Sequence, residues 1–336
     1  MTEPEASLVT GEPESSPIRR ALGARRRLVP THGIVVALAI LVVAGALLSP
    51  NFLTAGNLAN VSRQGSIVGI LGIGMTFVIL TAGIDLSVGS ILGLVAISFA
   101  GVMAAGVPWP VAILAALAIG GGAGALNGLG ITRGGLQPFI MTLGMLVIAR
   151  GVTLTIADGK PIRAGDASAI AWIGSGDVLS VPVPLLLFGG LAAASWFVLR
   201  MTSFGRAVYA VGDNPEAARL AGIPTGAVVF SVYVISGLCA ALAALIVVSR
   251  LAAAEPTQGT GFELDAIAIV VIGGTSLFGG EGGVGGTVIG AAVVAAMNNL
   301  LNLLGVSPFS QQIVKGLIIL GAVFLERRTR RREGGR

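Results

Sequence analysis

Cys239 and His32 are the only cysteine and the only histidine in the sequence. One cysteine cannot form an intrachain disulfide, and this pair cannot make a Cys/His zinc cluster or a histidine relay within one chain. The other groups able to do chemistry are charges set in apolar surroundings. Asp85, Glu263 and Asp265 stand at the starts of apolar segments, and Arg150 and Lys315 stand within them. Ionisable groups inside a bilayer are costly and mark function. Taken singly, Asp85 and Glu263 read as helix caps. Arg150, 12 residues after Pro138, reads as a side chain that snorkels to the interface. These charges form no chain of carboxylates suited to proton or sodium coupling, nor a catalytic set. An apolar pathway built from small residues points to an uncharged solute and an external energy source.

A second group of residues is polar and closely spaced. The stretch Thr202-Ser203-Phe204-Gly205-Arg206 through Gly212-Asp213-Asn214-Pro215-Glu216-Ala217-Ala218-Arg219-Leu220-Ala221-Gly222-Ile223 ends in a well-signalled short helix. Asn214 suits the N-cap, Pro215 the first helical position, and Glu216 complements the positive helix end. Arg219 lies toward the far end, Gly222 can adopt the left-handed stop, and Pro224 follows. Two turns are unstable alone in water, so this helix must dock on its own chain or on a partner. A knob offered to a cytoplasmic subunit is the reading adopted; a capped connector is the alternative.

The elements that must position these residues are membrane spans. Of the 336 residues 54% are hydrophobic and 11% charged, with a mean hydropathy of +0.92. Soluble domains carry about 25% charged residues, so a water-facing surface cannot be covered. Fifty-one glycines and 5% aromatics fit close-packed helices rather than an aromatic-girdled barrel. A span needs roughly 20 apolar residues. The sequence predicts ten, at about 33–49, 65–82, 86–106, 109–130, 138–157, 181–199, 226–250, 264–280, 284–304 and 311–325. Short Gly-rich junctions within 65–130 and 264–304 are where a helix broken inside the bilayer could hide.

The basic residues give the orientation. Arg19, Arg20, Arg25, Arg26 and Arg27 precede the first span, and Arg327, Arg328, Arg330, Arg331, Arg332 and Arg336 follow the last. With Arg133, Arg200, Arg206 and Arg219 one side carries 15 Lys/Arg against 4 on the other, so both termini are expected in the cytoplasm. The expected division is a disordered, basic tail over 1–32, a transmembrane domain over 33–326 and a basic tail over 327–336. Ala44-Gly45-Ala46 mimics a signal-peptide cleavage site, but a retained first span is expected. Asn60-Val61-Ser62 is read as a chance match to a glycosylation site.

Internal similarity is weak but ordered. Gly83-Ile84-Asp85-Leu86-Ser87-Val88 is matched by Gly261-Phe262-Glu263-Leu264-Asp265-Ala266. Small-residue helices then end near Asn127 and Asn298, and Pro138-Phe139 is matched by Pro308-Phe309. Five spans per half would invert the second half relative to the first, an architecture of transporters. Gly120/Gly124/Gly128 and Gly286/Gly290 are small-xxx-small rows that let helices approach closely. Gly280-Glu281-Gly282-Gly283-Val284-Gly285 satisfies GxGxxG, but without a βαβ unit it is not read as a nucleotide site. The phosphate-loop pattern is absent from the sequence, so ATP hydrolysis by that route is not expected here. Basic ends without a nucleic-acid-binding fold suit topology and anionic lipid.

These segments resemble the permease subunits of bacterial ABC importers for monosaccharides, the ribose-type permeases most of all. The resemblance rests on Thr81-Ala82-Gly83-Ile84-Asp85-Leu86-Ser87-Val88-Gly89-Ser90, on Pro138-Phe139-Ile140-Met141-Thr142-Leu143-Gly144 with Arg150-Gly151, and on the cytoplasmic stretch above. It rests also on Pro256-Thr257 through Gly259-Thr260-Gly261-Phe262-Glu263-Leu264-Asp265 and Gly273-Gly274-Thr275 to Asn298-Asn299 and Val314-Lys315. It covers about 33–326.

The resemblance implies a homodimer of ten-helix subunits in the bacterial cytoplasmic membrane, with the sugar path along the dimer interface. It implies an ATPase subunit with two nucleotide-binding domains, which binds ATP and Mg, and an extracytoplasmic sugar-binding protein. The chain itself would need no cofactor. The coupling segment is 200–225, with Gly205, Arg206, Asn214, Pro215, Glu216, Ala217, Arg219 and Gly222 as its residues. The outer loop 158–180 would receive the binding protein. Candidates for the pathway or its walls are Asp85, Ser87, Asn127, Phe139, Arg150, Glu263, Asp265, Asn298 and Asn299. Glu281 stands where the family often has a basic residue, which discourages exact substrate transfer. The alternatives are a permease for branched-chain amino acids or a quorum-signal sugar derivative, an ion-coupled secondary transporter, and an intramembrane enzyme.

Overall fold

The computed structural model describes residues 29–307, 309–317, 320, 321 and 324. Residues 1–28 of the tail expected over 1–32, the tail expected over 327–336, and Pro308 of the second Pro-Phe pair lie outside the described residues, and 29–32 belong to a helix. Among those described, the regular elements are helices apart from four two-residue strands.

The first half contains α1 (Val29–Leu48), α2 (Ala55–Leu80), α3 (Val88–Ala104), α4 (Trp109–Thr132) and α5 (Pro138–Ala157). A connection follows with β1 (Ile162–Arg163), α6 (Ser168–Ser175), β2 (Asp177–Val178) and β3 (Val181–Pro182). Then come α7 (Val183–Met201), α8 (Ser203–Asp213), α9 (Pro215–Leu220), α10 (Thr225–Leu251), β4 (Ala253–Ala254), α11 (Phe262–Ile272) and α12 (Val284–Leu303). A further helical stretch covers 309–317. Among the described residues six helices are long and apolar enough to cross a bilayer: α2, α4, α5, α7, α10 and α12. The chain is a polytopic helical membrane protein.

Three boundaries differ from expectation. α1 begins at Val29, ahead of 33. α2 begins at Ala55 rather than 65, because its polar first turns are held by contacts hydropathy does not register. Arg63 Nη2 bonds both Asp177 carboxylate oxygens at 2.8 and 2.9 Å. The third departure is the expected span 264–280. It is a helix only to Ile272, and its 11 residues rise about 16 Å, half a hydrocarbon core. The segment 273–283 is non-helical, so this span is broken at a Gly-rich junction. The cleavage-like triplet at 44–46 lies inside unbroken α1.

α2 and α10 pack on each other at the centre, with Ile70, Ile73, Phe77, Tyr233, Ala240 and Ile246 fully buried or nearly so. α2 also packs on α11 and α12, and α10 on α3 and α4, so each central helix embraces the other half. Apolar side chains gain little by leaving lipid, so association depends on close backbone packing and on polar contacts. The small-residue rows supply that closeness within the chain. A Cβ on Gly120 would meet the Gly237 carbonyl, and one on Gly124 the Tyr233 carbonyl, both in α10. Gly286 and Gly290 sit in the same way against Gly273 and Ile269. β1 pairs antiparallel with β4, and β2 with β3 immediately before α7.

Candidate functional site

The polar stretch after α7 folds into two helices. Thr202 caps α8, its Oγ1 accepting from the Gly205 N–H at 3.1 Å. Gly205 is buried because a Cβ there would strike the carbonyls of Val198 and Leu199. α8 is amphipathic: Val208, Val211 and Gly212 face inward, and Arg206 outward. Asn214 closes α8 through its N–H to the Ala210 carbonyl at 3.1 Å. Its Oδ1 opens α9 by accepting from the N–H groups of Glu216 and Ala217 at 3.1 and 3.0 Å. Pro215 occupies the first turn, where an N–H would have no partner. Gly222, at φ +82°, ends α9 while Ile223 N–H returns to the Ala218 carbonyl at 3.0 Å.

α9 is a short knob with one buried residue, Ala218. Pro215, Glu216, Ala217 and Arg219 are exposed, and Leu220 is 76% exposed. Glu216 and Arg219 form an ion pair with Nη2 2.6 Å from Oε1. That hydrogen-bonded contact raises the Arg219 pKa above its ordinary value. The pair thus presents a matched acid and base, with an apolar leucine beside them.

Asp85 lies between α2 and α3 and is fully buried. Its Oδ1 accepts from Ser87 N–H at 2.9 Å and from Ser87 Oγ at 2.6 Å, and its Oδ2 accepts from Ser236 Oγ at 2.8 Å. Asn127 Nδ2 donates to Ser87 Oγ at 2.8 Å. The cap reading of Asp85 therefore covers only its bond to Ser87 N–H. The same carboxylate ties the break after α2 to α10 and, through Ser87, to α4. Glu263 sits in the first turn of α11.

Arg150 does not snorkel. Its Nη1 donates to the carbonyls of Pro256 and Gln258 at 2.8 and 2.9 Å, with the Glu263 charge nearby. The loop before α11 turns through left-handed glycines and leaves inward carbonyls without helical partners, and the guanidinium satisfies two of them. Asp265 pairs with Lys315 across helices. Asn299 and Asn57 exchange two amide hydrogen bonds at 2.8 and 2.9 Å. Asn298 Oδ1 is buried without a hydrogen-bond partner among the described residues. Phe139, in the first turn of α5, is exposed.

The sequence-predicted residues thus fall into separate clusters: the α8–α9 segment, the Asp85 network, and charged groups around α11. Among the described residues no group of His, Cys, Asp and Glu is arranged to hold a metal ion. Ser236, Asn57 and Tyr209 are partners that sequence reading did not single out. A usable signal existed for one of them, since the chain has two tyrosines and both bind backbone carbonyls at helix breaks. Tyr209 donates to Gly282 at 2.9 Å, and Tyr233 to Ile84 at 3.4 Å. Burial raises the Tyr209 pKa against the opposing influence of Arg200, so the hydroxyl stays a donor.

Residues 57–323 match the family model for the permease component of branched-chain amino acid transport systems. The chain belongs to this permease family. It is 46% identical to the ribose import permease protein RbsC of Escherichia coli K12 over 295 residues, 87% of this chain and 92% of that protein. It is 46% identical to the ribose import permease protein RbsC of Bacillus subtilis 168 over 307 residues, 91% and 94% of the two chains. It is 41% identical to the D-allose transport system permease protein AlsC of Escherichia coli K12 over 298 residues, 88% and 91% of the two chains. No solved structure matches the permease.

Proposed function

We propose that this chain is the membrane-spanning subunit of an ATP-driven importer that brings a monosaccharide, ribose or a similar pentose or hexose, into the cytoplasm. The observation that carries the reading is 46% identity to ribose import permeases over nearly the full length of both chains. Ten spans, with two five-helix halves inverted in the bilayer and both termini in the cytoplasm, account for the basic residues and for the way α2 and α10 each pack into the other half. A second copy completes the path as a homodimer. ATP and Mg belong to a partner ATPase with two nucleotide-binding domains, and this subunit contributes no catalytic residue. The exposed α9 knob seats in that ATPase, and an extracytoplasmic binding protein docks on the outer loop 158–180.

Transport follows alternating access driven from outside the chain. Closure of the ATPase pair pushes on 205–222, and rigid helix groups move to open one end of the path. The family description also names branched-chain amino acids. A zwitterion needs unengaged complementary charge along its route. Arg150 is held by backbone carbonyls and Lys315 by Asp265, so an uncharged sugar suits the walls better.

The test is co-expression with candidate ATPase and binding-protein subunits, purification from membranes, and ATPase assays across a sugar panel. A complex whose ATPase rises with one liganded binding protein supports the importer and names its sugar. Uptake in proteoliposomes without any ATPase would overturn it in favour of a free-standing transporter.

A further inference from the structure

The end of α8 is not merely laid on the membrane helices. α2 finishes in a left-handed turn in which Gly83 N–H returns to the Val78 carbonyl and Ala82 N–H to that of Ile79, at 3.1 and 2.9 Å. This leaves the Leu80 carbonyl directed out of the helix, where Gly280 N–H from the break after α11 donates to it at 3.0 Å. Gly212 of α8 lies over that bond. A Cβ on Gly212 would coincide with the Leu80 carbonyl and crowd Gly280 N–H. A Cβ on Gly279 would in turn crowd the Gly212 carbonyl and Ala82. Three backbones, one from each half and one from α8, meet where no side chain fits. One turn earlier, Tyr209 Oη reaches the same break through the Gly282 carbonyl.

We propose that Gly212 and Tyr209 clamp α8 to the end of α2 and to the 273–283 break, so that a push on α9 moves the inner ends of both halves as one body. The proposal rests on the reading of α9 as the ATPase-facing knob and adds the route by which its displacement reaches the membrane. Gly212 and Tyr209 are positioning residues, acting through backbone and not on the sugar. Asn214 makes the linkage stiff, because the residue that ends α8 is also the one that starts α9.

The experiment uses the complete importer in liposomes, with D-ribose as the probe and sugar transported per ATP hydrolysed as the reading. Gly212→Ala and Tyr209→Phe are expected to retain co-purification with the ATPase subunit and to lose several-fold in that ratio. Tyr209→Phe removes one hydroxyl and keeps the ring, so it tests the clamp even if Gly212→Ala fails to fold. A third variant, Asp213→Cys with Gly280→Cys, ties α8 to the break, since a Cβ on Gly280 would lie 3.2 Å from that of Asp213. Native Cys239 is buried. If α8 and the break move together, uptake by the oxidised form equals uptake by its own reduced form. An unchanged sugar-to-ATP ratio in Tyr209→Phe, or uptake arrested by oxidation and restored by reductant, would overturn the clamp while leaving ATPase binding by α9 intact. Failure of the unaltered chain to hold any ATPase would instead overturn the reading of α9, and the clamp with it.

Discussion

Lys315 holds Asp265 in a near-symmetric ion pair, its Nζ lying 2.8 Å from Oδ1 and 2.9 Å from Oδ2. The Asp265 side chain is 6% exposed and that of Lys315 23%. The pair joins the first turn of α11 to the last described helix, with Asp265 the more deeply buried partner. Breaking a buried pair on one side costs about 3–5 kcal/mol, whereas replacing both members by apolar residues is close to neutral. Lys315→Met alone is therefore expected to lower the thermal midpoint of the purified permease sharply. Lys315→Met with Asp265→Leu should recover most of the loss. Two single-site losses that simply add in the double variant would show that the charges do not depend on each other.

Arg150 sends both of its hydrogen bonds from one nitrogen to the carbonyls of Pro256 and Gln258. A hydrogen bond to a charged group contributes about 1.5–3 kcal/mol, and about 1.4 kcal/mol is a factor of ten in an equilibrium. Arg150→Ala should let the amides of 255–261 exchange with deuterium about tenfold faster or more in nanodiscs. Because a single donor atom bridges both carbonyls, Arg150→Lys should restore part of the protection. Exchange that is unchanged in Arg150→Ala would mean that the loop is held by its own turns.

Much of this arrangement was legible in the sequence where the signal is local. Asn214, Pro215 and Gly222 act through the neighbouring backbone, and the structure uses each in the role its residue type suggests. The glycine rows in α4 and α12 also read correctly as packing surfaces, since helical spacing alone puts them on one face. What was not legible depends on partners distant in the chain. Hydropathy placed a full span over 264–280, yet α11 stops at Ile272 because Gly273, Gly274 and the Gly-rich run after them favour turns over helix. Arg150 looked free to snorkel because its acceptors are backbone carbonyls of a loop more than 100 residues away, and carbonyls leave no trace in residue type. Ser236 reads as a harmless hydroxyl in an apolar helix until Asp85 is seen beside it.

The Glu216–Arg219 pair is exposed and contributes little to folding, as solvent-screened pairs do. Replacing both by alanine should leave the thermal midpoint of the isolated permease nearly unchanged. The same variant is expected to lose stimulation of the partner ATPase and sugar uptake while remaining folded in the membrane. Asn214→Ala acts differently, because it removes the side-chain cap of α9 and leaves the backbone bond that closes α8, at a cost of about 1 kcal/mol, and Asn214→Asp should restore it. Normal uptake and ATPase stimulation in Glu216→Ala with Arg219→Ala would sink the assignment of α9.

Gly124 and Gly122 provide a matched test of the packing between α4 and α10. Both are helical, two residues apart, and face opposite surroundings. A Cβ on Gly124 would press into the Tyr233 carbonyl, whereas one on Gly122 would meet nothing within 4 Å. Neither obstacle at Gly124 is the tip of a flexible side chain, so the helices themselves must separate. Overpacking of this kind costs about 1–3 kcal/mol, while alanine at an unobstructed helical glycine gains about 0.5–1 kcal/mol. Gly124→Ala should therefore lower the thermal midpoint and Gly122→Ala should hold or raise it. Gly124→Ala should also weaken the Asp85 network, because Asn127 on α4 and Ser236 on α10 would draw apart from Ser87 and Asp85. Faster hydrogen exchange at Ser87 N–H in Gly124→Ala, but not in Gly122→Ala, checks that link. Equal midpoints in the two variants would place the close approach of α4 and α10 elsewhere along their length.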